Sequence, residues 1–172
     1  MAPKALGAEF WRSKTLAQMS TAEWEALCDG CGKCCLHKLL AAADSEPDEE
    51  SAESDDDAWM QAGEELHYTD VRCQYLDPAT ARCGCYAERL ARVENCVNIT
   101  LADLPNIHFM PSTCAYRRLH EGRGLPVWHP LRHGGSRVAM QAAKQDVGSY
   151  ATVSECDVAE DDYELRIVTW PL

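Results

Sequence analysis

Apolar positions along this chain come in short groups separated by glycine, proline and charge, and the pattern predicts short elements joined by many loops. Ser20-Thr21-Ala22-Glu23 is an S-x-x-E capping box, in which the serine and glutamate side chains each satisfy an orphan backbone donor. Trp24 and Leu27 follow on one face, so a short helix is expected to end near Cys28, where Asp29-Gly30 and Gly32 break it. Leu36 to Ala43 fits a further helix, and order is expected to resume near Leu66 after an intervening charged run. Tyr68 to Val71 reads as a short strand, Cys83-Gly84-Cys85 as a tight turn, and Tyr86 to Val93 as a helix that Asn95 ends. Thr100 to Asp103 starts a turn of helix that Pro105 stops. From Ser112 a helix carries Cys114, Ala115, Tyr116 and Leu119 as far as Gly122 or Gly124, and Ser136 caps another through Val138, Met140 and Ala143. Val147 to Val153 and Tyr163 to Trp170 alternate weakly, as a hairpin-like pair of strands would. The predicted fold class is α+β, mainly helical: a small irregular single domain.

Leu, Ile, Val and Phe together make 30 of the 172 residues, too few for aliphatic burial alone to hold a highly charged chain. The ten cysteines are the natural supplement, because metal-bound thiolates supply folding free energy that a thin core lacks. The domain is therefore expected to be stapled by a cysteine-ligated metal centre. The formal net charge of −12 is mostly local, since Asp44 to Asp57 hold nine acids and no base. Such a run repels itself, and residues 44–65 are expected to form a disordered acidic insert. It divides residues 1–43, with the N-terminal helices and the cysteine motif, from residues 66–172, the remainder of the same domain. The first twenty residues, with Lys4, Glu9, Arg12 and Lys14, lack the apolar centre of a secretory signal, and no apolar run is long enough to span a bilayer. The expectation is a cytoplasmic protein with no membrane partner. There thiols stay reduced, so clustered cysteines argue for metal or redox chemistry before disulfides.

Cys28-x2-Cys31-x2-Cys34-Cys35 places four thiols in eight residues. Spacings of two let successive sulfurs converge on one zinc ion, or on corners of an iron–sulfur cluster whose fourth ligand comes from elsewhere. Adjacent side chains point in different directions, so Cys34 and Cys35 are expected to serve different centres, or only one of them to be a ligand. Cys73, Cys83, Cys85, Cys96 and Cys114 supply the other ligands, and Cys156, alone in its segment, is left outside the site. Lys33, Lys38, Arg72 and Arg82 lie beside the ligands in sequence and can offset thiolate charge, while the amides of Gly30, Gly32 and Gly84 can approach sulfur. All-sulfur sites suit zinc and iron–sulfur clusters alike, so the cofactor stays open between the two.

The segment Met19 to Leu39, with Trp11 to Leu16 before it, closely resembles the bacterial cysteine-cluster family named for its CxxCxxCC motif. The likeness continues through Cys73, Arg82-Cys83-Gly84-Cys85, Cys96, Met110 to Leu119 and Gly124 to Leu131, and covers most of the chain up to about Ala139. It implies a domain that chelates zinc or iron. The acidic run and Cys156 stand outside it. A related motif occurs in flagellin lysine methylases, in association with an iron–sulfur cluster, so the resemblance also implies that such a cluster is a serious candidate.

His37 reads as a surface or capping residue, and His129, between Trp128 and Pro130, as packing in a rigid turn. Arg117 to Arg137 holds five arginines and one acid, a patch suited to a phosphate, RNA, an acidic protein or the chain's own acidic run. With net negative charge and no nucleic-acid module, nucleic acid is the poorer fit. No H-E-x-x-H, P-loop, dinucleotide fingerprint or nucleophile elbow is present, so enzymatic activity has no motif behind it and stays open. The leading reading is a metal-binding protein whose partners are a metal ion or cluster and a second protein. The alternatives are a catalytic iron–sulfur protein in group transfer or protein modification, and a thiol redox sensor.

Overall fold

The computed structural model describes residues 7, 9–42 and 64–170. The expected acidic insert lies almost wholly outside the described residues. Helix α1 (Phe10–Ser13) inserts Phe10 into the core, and α2 (Thr21–Ala26) follows the predicted capping box. Ser20 Oγ accepts the Glu23 N–H at 3.3 Å, and Glu23 Oε2 accepts the Ser20 N–H at 2.8 Å. Lys14 Nζ donates to the same carboxylate at 2.7 Å. That ammonium and the Ser20 amide hold the Glu23 carboxyl down from 4.5 to about 2. A carboxyl held low in the fold stabilises it above the ordinary value and loses that effect as pH falls toward the lowered one. Glu23→Gln is therefore expected to lower the urea midpoint well above pH 4.5 and to match the parent near pH 2, as followed by circular dichroism.

After a 3-10 turn at Lys33–Cys35 the chain enters β1 (Leu36–Ala42), which pairs antiparallel with β2 (Glu64–Arg72). The expected helix over this segment is thus a strand. Its helix-forming leucines and alanines yield to a templating partner rich in strand formers, Tyr68, Thr69 and Val71, and Leu36 is buried by the pairing. The predicted strand Tyr68 to Val71 is the second half of β2. Two short strands, β3 (Leu76–Asp77) and β4 (Arg82–Cys83), form a separate antiparallel ribbon.

A 3-10 turn at Tyr86–Glu88 runs into α3 (Arg89–Arg92), which together occupy the helix expected over Tyr86 to Val93. The next helical stretch, Leu101–Phe109, passes through Pro105 rather than stopping there. Its turns are 3-10, joined across a kink at Asn106, and burial of Leu104 and Ile107 on either side of the proline holds both turns in place. Helix α4 (Ala115–His120) ends at Gly122, and α5 (Val138–Ala142) begins where Ser136 Oγ accepts the Val138 N–H at 3.4 Å.

The C-terminal segments do not pair with each other. Strand β5 (Val153–Ser154) lies parallel to β2 through Val71 and Val153, and Ile167 bridges Thr69. The acidic stretch between them folds into a 3-10 run, Glu160–Arg166, and Arg166 binds Asp70 at 2.8 Å, so both segments are drawn onto β2. The result is a small domain of short helices around a mixed three-stranded sheet ordered β1-β2-β5. No helix among the described residues is long and apolar enough to cross a membrane.

Two apolar clusters make the core. The first gathers Phe10, Leu27, Leu104, Ile107, Met110 and Tyr116, and the second Leu36, Tyr68, Leu76, Ala81 and Val147. Cys34 packs against the first and Cys35 against the second, so the adjacent cysteines straddle the two.

Candidate metal centre

Eight of the nine cysteines of the family-like pattern fall into two neighbouring sets, joined where the Cys35 thiol donates to Cys34, and Cys96 lies between them. In the first, Cys28 lies in the electrostatic field of Cys34 and Cys114, Cys31 in that of Cys34 and Cys28, and Cys114 in that of Cys34. Local folding explains the gathering. Asp29 Oδ1 accepts the Cys31 N–H at 2.9 Å, and Val147 donates its N–H to the Cys31 carbonyl at 2.9 Å, which closes the loop after α2. Tyr116 Oη donates to the Trp24 carbonyl at 2.9 Å, tying α4 to α2 and with it Cys114 to the loop.

In the second set, Cys35 lies in the field of Cys34, Cys73 and Cys83, and Cys73 in that of Cys83 and Cys96. Cys73 donates its N–H to the Cys35 carbonyl at 2.9 Å, and the ribbon pairs Leu76 with Cys83. The turn at Gly84, whose N–H donates to the Tyr75 carbonyl at 2.7 Å, brings the Sγ atoms of Cys83 and Cys85 to 3.7 Å. Cys96 is in the fields of both Cys34 and Cys83, between the sets. Cys156 is exposed on the turn after β5, where its N–H caps on Ser154 Oγ.

Backbone donors point at several of these sulfurs. The amides of Gly30, Lys33 and Tyr75 donate to Cys28, Cys31 and Cys73, and those of Arg117 and Tyr116 donate to Cys114. Such N–H to sulfur bonds favour the thiolate. Burial outweighs them in the protein alone at Cys114, whose thiol it pushes up to about 12, and at Cys31, which it pushes well above the ordinary range, while Cys28 is exposed. Cys34 moves down, because the Cys35 thiol donates to it and Lys38 stands near, and Cys35 moves up in return. Lys33 is fully buried, with Nζ on Thr113 Oγ1 at 3.2 Å and Gln145 Oε1 at 3.1 Å, in the field of Cys31, Asp29 and Asp146. Lys38 faces Cys34 and Cys35. Two of the four predicted charge partners thus meet the sulfurs. Arg72 instead donates to the Thr152 carbonyl, and Arg82 is exposed.

No group of three or more Cys, His, Asp or Glu side chains among the described residues is arranged to hold a metal ion. The sulfurs share a field without meeting at one point. The donor chemistry nonetheless suits a soft or borderline cation: sulfur ligands, amides aimed at them, and ammonium groups to offset the charge.

His37 and His129 are used elsewhere. His37 Nε2 lies 2.5 Å from Glu155 Oε2 at the surface. His129 is fully buried, with Nδ1 accepting the Leu131 N–H at 3.2 Å, which leaves Nε2 to donate to the Leu27 carbonyl at 3.0 Å. The basic segment is likewise occupied. Arg117, Arg118, Arg123, Arg132 and Arg137 donate to the carbonyls of His108, Gly124, Ser112, Leu125 and Gly30, binding loops together. Asp29 is the residue that sequence reasoning missed. It acts on Cys28, Cys31, Cys34 and Cys114 at once, and an Asp-Gly pair beside a cysteine could have been read as an Asx turn closing the loop.

Fold and site together define a small domain of short helices and a small mixed sheet that carries clustered thiols. The chain belongs to the CxxCxxCC family: the family model, described as "Putative zinc- or iron-chelating domain", matches residues 27–115. Relatives called UPF0260 proteins match along nearly their whole lengths, beyond the motifs that end near Ala139. The Shewanella pealeana protein is 44% identical over 163 residues, covering 95% of this chain and 96% of its own. The Parvibaculum lavamentivorans protein is 45% identical, covering 95% and 93%, and that of Marinobacter nauticus 42%, covering 95% and 96%. No solved structure matches the chain.

Proposed function

We propose that this protein is a cytoplasmic metal-binding domain that holds zinc or iron through its clustered thiolates and is stabilised by doing so. Cys28, Cys31, Cys34 and Cys114 form the first centre, and Cys35, Cys73, Cys83, Cys85 and Cys96 supply the second. The observation that carries this reading is the set of backbone amides directed at Cys28, Cys31, Cys73 and Cys114, which are donors suited to metal-bound sulfur. Lys33 and Lys38 offset the formal charge of −2 that four thiolates leave on a zinc ion. The same sulfurs suit an iron–sulfur cluster, the form in which iron would be retained. Burial that raises the thiols leaves Cys31 and Cys114 poor nucleophiles, which disfavours a redox sensor built on them.

The test is anaerobic purification followed by zinc, iron and acid-labile sulfide analysis per chain. Stoichiometric zinc, or iron with matched sulfide and visible absorption, is expected, and the absence of both metals rejects the reading. Because burial pushes the Cys114 thiol up to about 12 in the protein alone, it releases a proton when it becomes a ligand. Apparent metal affinity, measured by competition with a chromophoric chelator, is therefore expected to rise with pH, by about tenfold per unit for each proton released.

A further inference from the structure

A half-buried carboxylate of the C-terminal segment, Glu155, reaches the second thiol set. Strand β5 runs parallel to β2, with Val153 beside Val71 and Ser154 beside Arg72, so the residues that follow, Glu155 and Cys73, leave the sheet together. Glu155 Oε1 accepts the Gln74 N–H at 2.9 Å, the amide that follows Cys73. Its Oε2 lies 2.5 Å from Nε2 of His37, two residues beyond Cys35, and the His37 ring packs against Tyr163 at 5.0 Å. A carboxylate oxygen accepts, so His37 Nε2 carries the hydrogen. The backbones bearing Cys35 and Cys73 already meet where the Cys73 N–H donates to the Cys35 carbonyl at 2.9 Å, and Glu155 joins them a second time from outside. Its hold on the Gln74 amide also fixes the turn in which the Tyr75 N–H donates to the Cys73 sulfur and the Leu76 N–H to the Cys73 carbonyl. Glu155 lies well beyond residues 27–115, the stretch that the family model matches.

We propose that Glu155 is a positioning residue for the second thiol set, whose carboxylate bridges the turn after Cys73 and the strand after Cys35 and so holds those two cysteines together for a shared metal ion. This role rests on the metal-binding reading above. Both carboxylate oxygens are engaged, so Glu155 acts on the ligands and not as one of them. Its hydrogen bonds carry the role, because a negative charge beside several thiolates is electrostatically unfavourable. Loss of such an outer partner costs about tenfold to a hundredfold in metal affinity. An ion pair at the surface adds little to stability, so removal of the carboxylate is expected to spare the fold. Glu155→Gln keeps an oxygen for the Gln74 N–H and an amide that can donate to the neutral His37 ring, so it is expected to preserve the bridge.

Alkylation of the full chain as purified, without oxygen and with a competing chelator present, tests this when each cysteine is read by mass spectrometry and zinc and iron are measured on the same sample. The exposed Cys156 serves as the unprotected reference. In Glu155→Ala, Cys35 and Cys73 are expected to react about tenfold faster than in the parent, while Cys28, Cys31 and Cys114 keep their rates and the circular dichroism is unchanged. Glu155→Gln is expected to follow the parent. Parent-like protection of Cys35 and Cys73 in Glu155→Ala overturns the proposal. Equal loss of protection at all five thiols, or lost circular dichroism, makes the residue a general structural one and overturns it as well. If Glu155→Gln behaves as Glu155→Ala does, charge and not the bridge is responsible, and the positioning role falls. A parent chain that carries neither zinc nor iron removes the metal-binding reading itself, and the role of Glu155 with it.

Discussion

Cys114→Ser is expected to lose the metal of the first thiol set and to unfold the domain under conditions in which Cys156→Ser changes neither. Cys114 is the one member of that set outside the loop 28–35, and it joins the start of α4 to the loop that follows α2. Two thin apolar clusters hold the rest of the domain, so a cross-link between distant segments carries a large share of the stability. Structural zinc in small domains contributes about 10–16 kcal/mol of apparent binding free energy, against a typical net stability of about 5–15 kcal/mol. Removal of one ligand of four is thus expected to take most of the stability away. Metal per chain and the thermal midpoint by circular dichroism report it, with Cys28→Ser, Cys31→Ser and Cys34→Ser as companions. Unchanged metal and midpoint in all four variants, set against Cys156→Ser, would sink the idea of a first centre.

Gly32→Ala is expected to be the most damaging substitution outside the thiols. Gly32 sits at φ +76°, and an added Cβ would lie 2.8 Å from Val147 Cγ2 and 3.3 Å from Leu76 Cδ1. The left-handed backbone costs a non-glycine residue about 1–2 kcal/mol, and forcing a methyl group into packed surroundings about 1–3 kcal/mol more. Val147 cannot retreat easily, because it is buried and its N–H is bonded to the Cys31 carbonyl. Gly30→Ala separates the two contributions: Gly30 has φ +70° but nothing within 4 Å of its added Cβ, so only the backbone cost applies. Urea unfolding of the two variants is expected to put Gly32→Ala below Gly30→Ala by about 1–3 kcal/mol. Equal midpoints would mean that the Gly32 approach to Val147 is not a packing constraint.

The parts of the fold that were legible from residues alone rest on local chemistry. The Ser20–Glu23 capping box works through atoms three residues apart, and the end of α4 at Gly122 depends on a backbone angle that glycine adopts freely. Where partners come from far along the chain, local reading failed. Leu36 to Ala42 has the composition of a helix and is a strand because β2 lies beside it. Both C-terminal segments were drawn onto β2 by Val71, Thr69 and Asp70, groups that no spacing within residues 147–170 reveals. The arginines of 117–137 looked like a free patch because a carbonyl acceptor leaves no mark on a sequence.

The same division runs through the candidate site. Sequence by itself supplied the candidate ligands, the nine thiols of the family-like pattern, and set Cys156 apart from them. Tertiary structure alone decided where those thiols lie. It sends Cys34 to one apolar cluster and Cys35 to the other, and it sets Cys114 against a loop more than eighty residues earlier. It also buries Lys33 and Asp29 among the sulfurs. Ligand type is a property of single residues, whereas grouping, burial and charge balance are properties of the packed chain, set by the many distant contacts that hold each segment in place.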